Sequence, residues 1–180
     1  MNPLHLRFGT AALAAAGFTA LGTPALAASL TVGVEIPRLQ VAEYHRPYVA
    51  VWIERADNSV ASTLAVWYDL KMQNREGEKW LKDLRQWWRR SGRSLQMPVD
   101  GVSAATRAVG THSLRFNSQD AAFKALPAGE YRVVVEAARE VGGHEAVRVP
   151  FTWGPMGGKP GKPATAKGSS ELGAVTVSVK

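Results

Sequence analysis

Beyond Ala27 this 180-residue chain offers three histidines, a run of arginines and one loop of small hydroxyl-bearing side chains as its chemistry-bearing groups. His45, His112 and His144 stand far apart, and only His144 has an acid beside it, Glu145. A zinc or copper site would therefore have to be assembled from distant loops. Cysteine is absent, which excludes thiolate chemistry and Cys-ligated metal. The serine-hydrolase elbow G-x-S-x-G, the zinc motif H-E-x-x-H, the phosphate loop and the dinucleotide fingerprint are all missing. No catalytic residue and no metal ligand is assigned. A hydrolase or metalloenzyme using His112 or His144 with a nearby acid stands as the weakest of the readings. The remaining stretch is Asp100-Gly101-Val102-Ser103-Ala104-Ala105-Thr106-Arg107, where small side chains leave the backbone open to close approach and Ser103 and Thr106 supply hydroxyls.

That stretch resembles the flavinylation signature of exported flavoproteins. In that signature an aspartate precedes an S-G-A-T-like tetrapeptide whose threonine hydroxyl takes the phosphate of FMN from a flavin transferase. Position by position, the resemblance implies Thr106 as acceptor, Asp100 as the acid, and Ser103, Ala104 and Ala105 as the small residues. Ala104 stands where glycine is usual, and Arg107 follows the acceptor. The alternative is a structural loop joining a helix to a strand.

These groups must be held by a β-rich scaffold. Leu30, Val32, Val34 and Ile36 alternate with Thr31, Gly33 and Glu35, the two-residue period of a half-buried strand that Pro37 ends. Tyr48–Glu54 and Ser62–Tyr68 flank the turn-forming Asp57-Asn58-Ser59 and predict a hairpin. Further strands are expected over His112–Phe116, Glu130–Ala137, Ala146–Trp153 and Leu172–Val179. Short strands spaced by turns predict an all-β sandwich of about seven strands. One segment breaks the pattern. Trp80, Leu81, Leu84, Trp87 and Trp88 form the stripe of an amphipathic helix over Glu78–Ser91, with Lys82, Arg85 and Arg89 opposite. Such a helix is marginal alone and must dock, here over an edge or opening of the sandwich. The Gly, Pro and Lys tract over 154–170 predicts a flexible loop.

Residues 1–27 decide the compartment. A short n-region ending in Arg7, an apolar run from Phe8 to Leu21 and small residues at Pro24-Ala25-Leu26-Ala27 predict a secretory signal peptide cleaved near Ala27. The rest, 28–180, is the size of one domain. The formal charge is +7. Its excess is concentrated between Lys71 and Arg93, where Lys71, Arg75, Lys79, Lys82, Arg85, Arg89, Arg90 and Arg93 face only Glu76, Glu78 and Asp83. Export makes an acidic partner or a peripheral membrane contact a better match for this patch than nucleic acid.

A second resemblance covers most of the chain. It rests on Arg46-Pro47-Tyr48-Val49-Ala50-Val51-Trp52-Ile53-Glu54, Thr63-Leu64 with Trp67, Lys79-Trp80-Leu81 with Leu84 and Trp87, Ser103-Ala104-Ala105-Thr106-Arg107 followed by Gly110-Thr111-His112, and Pro127-Ala128-Gly129-Glu130-Tyr131 with Glu136 and Glu140. By these residues the chain is similar to a bacterial family of predicted periplasmic proteins, domain-of-unknown-function family 2271. The resemblance implies export to the periplasm, an immunoglobulin-like β-sandwich and association with membrane flavin- or iron-linked redox systems. Three readings follow. The first is a non-catalytic accessory protein that meets a membrane-bound redox or iron-handling partner through its basic, Trp-bearing helix, with Arg85, Arg89 and Arg90, and the loop from Asp100 to Gly110. The second is an electron carrier with covalent FMN on Thr106. The third is a metal-binding periplasmic protein.

Overall fold

Alternation of apolar and polar residues produces the expected pleats. In the computed structural model, which describes residues 28–154 and 162–180, β1 (Ser29–Ile36) turns Leu30, Val32, Val34 and Ile36 into the interior. β2 (Tyr48–Glu54) and β3 (Val60–Tyr68) form the predicted hairpin, Val49 opposite Trp67. β4 (Ser103–Ala105), β5 (Gly110–Asn117), β6 (Gly129–Ala138), β7 (His144–Trp153), β8 (Ala164–Lys167) and β9 (Ala174–Val179) complete the set. One sheet runs β5-β1-β9-β8 and the other β4-β3-β2-β6-β7. All neighbours are antiparallel except β4, which lies parallel to β3 with Ser103 opposite Val66.

The two sheets pack face to face as a sandwich. Their inner faces share one core, including Leu30, Val34, Val51, Ile53, Trp67, Val133, Val149 and Val177. Each such side chain contributes roughly 1.5–3 kcal/mol by leaving water. A short helix, α3 (Ala121–Lys124), adds Phe123 against Trp153 at 4.8 Å between ring centroids.

A second core lies on the opposite face of the β2-containing sheet. It joins Ala50, Trp52, Val66, Tyr68 and Val134 to Leu81, Leu84, Trp87 and Met97. The amphipathic segment therefore covers the outer face of a sheet, not the edge or opening that the sequence suggested. β2 is the central strand of its sheet and apolar on both sides, so it needs a cover on each. Nor is the segment one helix. It is split into α1 (Glu76–Lys79), a 3-10 turn (Trp80–Asp83) and α2 (Arg85–Arg90), with Leu84 at φ −76° and ψ 71° between them. The break turns Leu81, Leu84 and Trp87 down together and leaves Trp80 half-exposed at 50%.

Two strands were not foreseen. β4 is three residues of Ser and Ala, too short to show a period. β8 lies in the tract expected to be a flexible loop, where Ala164–Lys167 pair with Ala174–Val177 of β9. The chain after β8 is held as well. The Glu145 carboxylate accepts the backbone N–H groups of Ser169, Ser170, Glu171 and Leu172 and the Ser169 hydroxyl, at 2.6–3.1 Å. The rest of that expected loop, 155–161, and the signal peptide expected over 1–27 lie outside the described residues. No described helix is long and apolar enough to cross a membrane.

Candidate functional site

The strand ends at one side of the β2-containing sheet fan apart into a cleft of about 980 Å³. Tyr48 at the start of β2, Ala105 and Thr106 at the end of β4, Ala138 and Arg139 at the end of β6 and His144 at the start of β7 form its floor and walls. The covering segment supplies Trp80, Asp83 and Arg85, and the chain leaving β3 supplies Asp69, Leu70, Lys71 and Met72. This volume falls within the range of small-molecule and cofactor sites, roughly 300–1,000 Å³.

The cleft is amphipathic. Arg46, Lys71, Arg85 and Arg139 meet Asp69, Glu76, Asp83 and Glu140 along its lining, so the two signs balance. Arg139 is already paired with buried Glu171, Nε to Oε2 at 2.9 Å and Nη2 to Oε1 at 3.1 Å. Four exposed apolar side chains ring the opening: Leu70, Met72, Trp80 and Val141. The Lys82 ammonium lies 5.6 Å from the Trp80 ring centre. Burial pushes the Tyr48 phenol above its ordinary value, against the pull of a backbone hydrogen bond at Asp69, so Tyr48 stands in the cleft as a neutral hydroxyl. Gly77 is what lets α1 sit this close: a Cβ there would lie 2.1 Å from the Asp69 carbonyl oxygen.

Two buried carboxylates on the outer face fasten α2, and with it Arg85. Glu136 of β6 accepts the backbone N–H of Gln86 at 2.9 Å and of Trp87 at 2.8 Å, and meets His144 Nε2 on its Oε1. At the other end of α2, Arg90 donates to Glu54. Trp87 Nε1 donates to Thr63 Oγ1 at 3.1 Å. Glu54, Glu136 and Tyr48 were not among the residues expected at a site, whereas Trp80 belongs to the helix expected to form the contact surface. Their signal was an acid or aromatic in an otherwise apolar strand or stripe, a pattern that core packing also produces.

The sequence-predicted residues are scattered more than their spacing implied. Thr106 is half-buried and lines the cleft with Arg85. Ser103 is taken up locally, its Oγ accepting the Val99 N–H at 2.9 Å. Asp100 is exposed on the turn before β4 and outside the cleft lining. Arg107 leaves the segment to stack on Trp67, 5.4 Å from its ring centre. The three arginines point three ways. Arg85 faces the cleft, Arg89 is exposed with Nε on the Arg85 carbonyl at 3.2 Å, and Arg90 reaches Glu54.

His45 and His144 both line the cleft, each against acids: His45 with Glu43 at 3.0 Å and Glu140 at 3.5 Å, His144 with Glu136. His112 lies elsewhere, its Nε2 2.7 Å from the Ala108 carbonyl oxygen. Among the described residues no three His, Asp or Glu side chains are grouped to hold a metal ion. No hydrogen bond among them joins Thr106 to a histidine or carboxylate that could act as its base.

A family model described as "Predicted periplasmic protein (DUF2271)" matches residues 29–174. No curated protein and no solved structure matches the chain.

Proposed function

The chain belongs to that family of predicted periplasmic proteins, and from this placement we propose that it is a non-catalytic binding module serving a membrane-bound redox or iron-handling protein through the cleft at its strand ends. The observation that supports this reading is the cleft itself, which combines a polar floor, balanced charges and an apolar rim of Leu70, Met72, Trp80 and Val141. Exposed aromatic, Met and Arg side chains are the types enriched at protein contact surfaces, and Trp80, Met72 and Arg85 supply them here. Photo-crosslinkers placed at positions 80 and 141 in the exported protein test it. The expected adduct is an integral membrane protein carrying flavin, haem or iron, weakened by Arg85→Glu and absent from a crosslinker at Asn58 beyond the other end of the sheet. Equal labelling from Asn58, or no membrane adduct, overturns the reading.

A second reading is favoured by one specific placement, Thr106 in the lining of the same cleft that Arg85 also lines. We propose that Thr106 takes FMN in phosphoester linkage. The cleft volume fits such a group, Arg85 balances phosphate charge, and Trp80 and Tyr48 supply aromatic surface. Bound flavin would supply the electron transfer, while the protein binds and orients it. Co-expression with a flavin transferase decides the matter. Flavin fluorescence that survives denaturing electrophoresis and vanishes in Thr106→Val supports the carrier, and an unmodified intact mass rejects it.

A further inference from the structure

At the opposite end of the covered sheet, far along β2 from Tyr48, one carboxylate is surrounded by more cations than it needs. Glu54, the last residue of β2, is fully buried. Its Oε1 lies 3.1 Å from Arg132 Nη2 and 3.2 Å from Arg148 Nε, and its Oε2 accepts from Arg90 Nη1. The three guanidiniums arrive from β6, β7 and α2. A buried carboxylate is compensated by one well-placed guanidinium. Three against one leave two uncompensated positive charges, and guanidinium does not discharge by losing its proton.

The surplus is open to solvent. Each of the three arginine side chains is 32% exposed although the carboxylate beneath them is not. No other ion pair engages them among the described residues. Glu130, two residues from Arg132 on the same face of β6, is exposed and unpaired with them. Hydrogen-bonding capacity also remains. Of the five N–H donors a guanidinium carries, Arg90 uses one on Glu54, and Arg148 uses one on Glu54 and one on Gln86 Oε1. Arg132 Nη2, the nitrogen nearest Glu54, also donates to the Arg55 carbonyl and Asn58 Oδ1 at 3.0 Å each and to the Ala56 carbonyl at 3.4 Å, leaving Nε and Nη1 unused. Glu54 thus gathers three guanidiniums with unused donors around one carboxylate, a donor set suited to a compact anion with several acceptor oxygens.

We propose that Arg90, Arg132 and Arg148, gathered on Glu54, form a binding site for a dianionic tetrahedral oxyanion, phosphate or sulfate in type. A dianion cancels the two surplus charges, and its oxygens take the unused donors. The site is separate from the Thr106 cleft, so the two can be tested apart.

The test is titration of the full exported protein with sodium phosphate and with sodium sulfate at constant ionic strength, sodium chloride as control, read by the arginine Nε–Hε resonances and by calorimetry. Saturable binding below roughly 20 mM, absent with chloride, is expected. Arg148→Lys keeps a charge for Glu54 but loses the fork, and should weaken binding about tenfold; its unfolding midpoint verifies that it is folded. Linear, chloride-like shifts in the wild-type protein overturn the proposal, as does undiminished affinity in folded Arg148→Lys. Vesicles with and without phosphatidic acid then separate the sources. Capture only by phosphatidate vesicles assigns the phosphate to a lipid headgroup, and free-anion binding without capture assigns it to a soluble ligand.

Discussion

Glu136 shows how one buried side chain serves two ends at once. Its carboxylate accepts the Gln86 and Trp87 N–H groups in the first turn of α2 and touches His144 on the cleft wall, so it links the covering segment to the candidate site. Glu136→Ala leaves those donors without an acceptor in a buried place. A loss of about 2–4 kcal/mol is expected, read as a lower urea midpoint. Glu136→Gln keeps an acceptor and should lose less. At Thr106 the outlook is different. Thr106→Val removes a hydroxyl that has no intramolecular hydrogen bond among the described residues and should leave the midpoint within about 0.5 kcal/mol of wild type. That near-neutrality makes it a clean probe of the flavin reading. The spacing from Asp100 to Thr106 was legible in the sequence, but which of its members reach the cleft was not. Ser103 is diverted to Val99 and Arg107 to Trp67, and both contacts depend on where β4 lies against β3.

Among the elements, the broken helix between β3 and β4 decides what the outer face can do. Its stripe was readable from the spacing of Leu81, Leu84 and Trp87, but the kink at Leu84 was not, because a straight helix and a bent one bury the same residues at these intervals. Trp87→Ala should cost about 3–5 kcal/mol, as large core truncations do. The cost should fall on the cover first, seen as tryptic cleavage at Arg89 or Arg90 while the strands persist. Gly77→Ala acts at the other end of the segment. A methyl group 2.1 Å from the Asp69 carbonyl forces α1 away from the end of β3, with an expected loss of about 1–3 kcal/mol and a wider cleft, measurable as greater quenching of Trp80 by acrylamide.

Across the whole molecule, Glu145 and Glu171 tie the two sheets together at one end, and Glu35 fastens the start of β9 to β1 within one of them. Glu145 of β7 holds the chain that leads into β9, Glu171 on that chain returns to Arg139 and to the Gly143 N–H, and Glu35 of β1 accepts the Ala174 N–H at 2.8 Å. Burial works against ionisation of Glu145, but the donors from Ser169, Leu172 and Ser170 outweigh it and hold its carboxyl at about 2, below the ordinary 4.5. A lowered folded-state value stabilises the fold fully above pH 4.5, and that stabilisation is lost as pH falls toward 2. Glu145→Gln should therefore cost about 1–2 kcal/mol at pH 7, discounted for the solvent around this group. It should also flatten the acid limb of the stability curve between pH 4.5 and 2, as followed by denaturant midpoints across that window. The sequence by itself determined the β-rich architecture, the strand positions and the apolar stripe of the cover, because two-residue and helical periods are local properties of the chain. Only the tertiary structure decided that the cover lies on an outer sheet face, that Thr106 and Arg85 share a cleft, and that Arg90 joins Arg132 and Arg148 on Glu54. Those meetings join residues 21 to 94 positions apart, and their partners are chosen by sheet order and register, which no local pattern encodes.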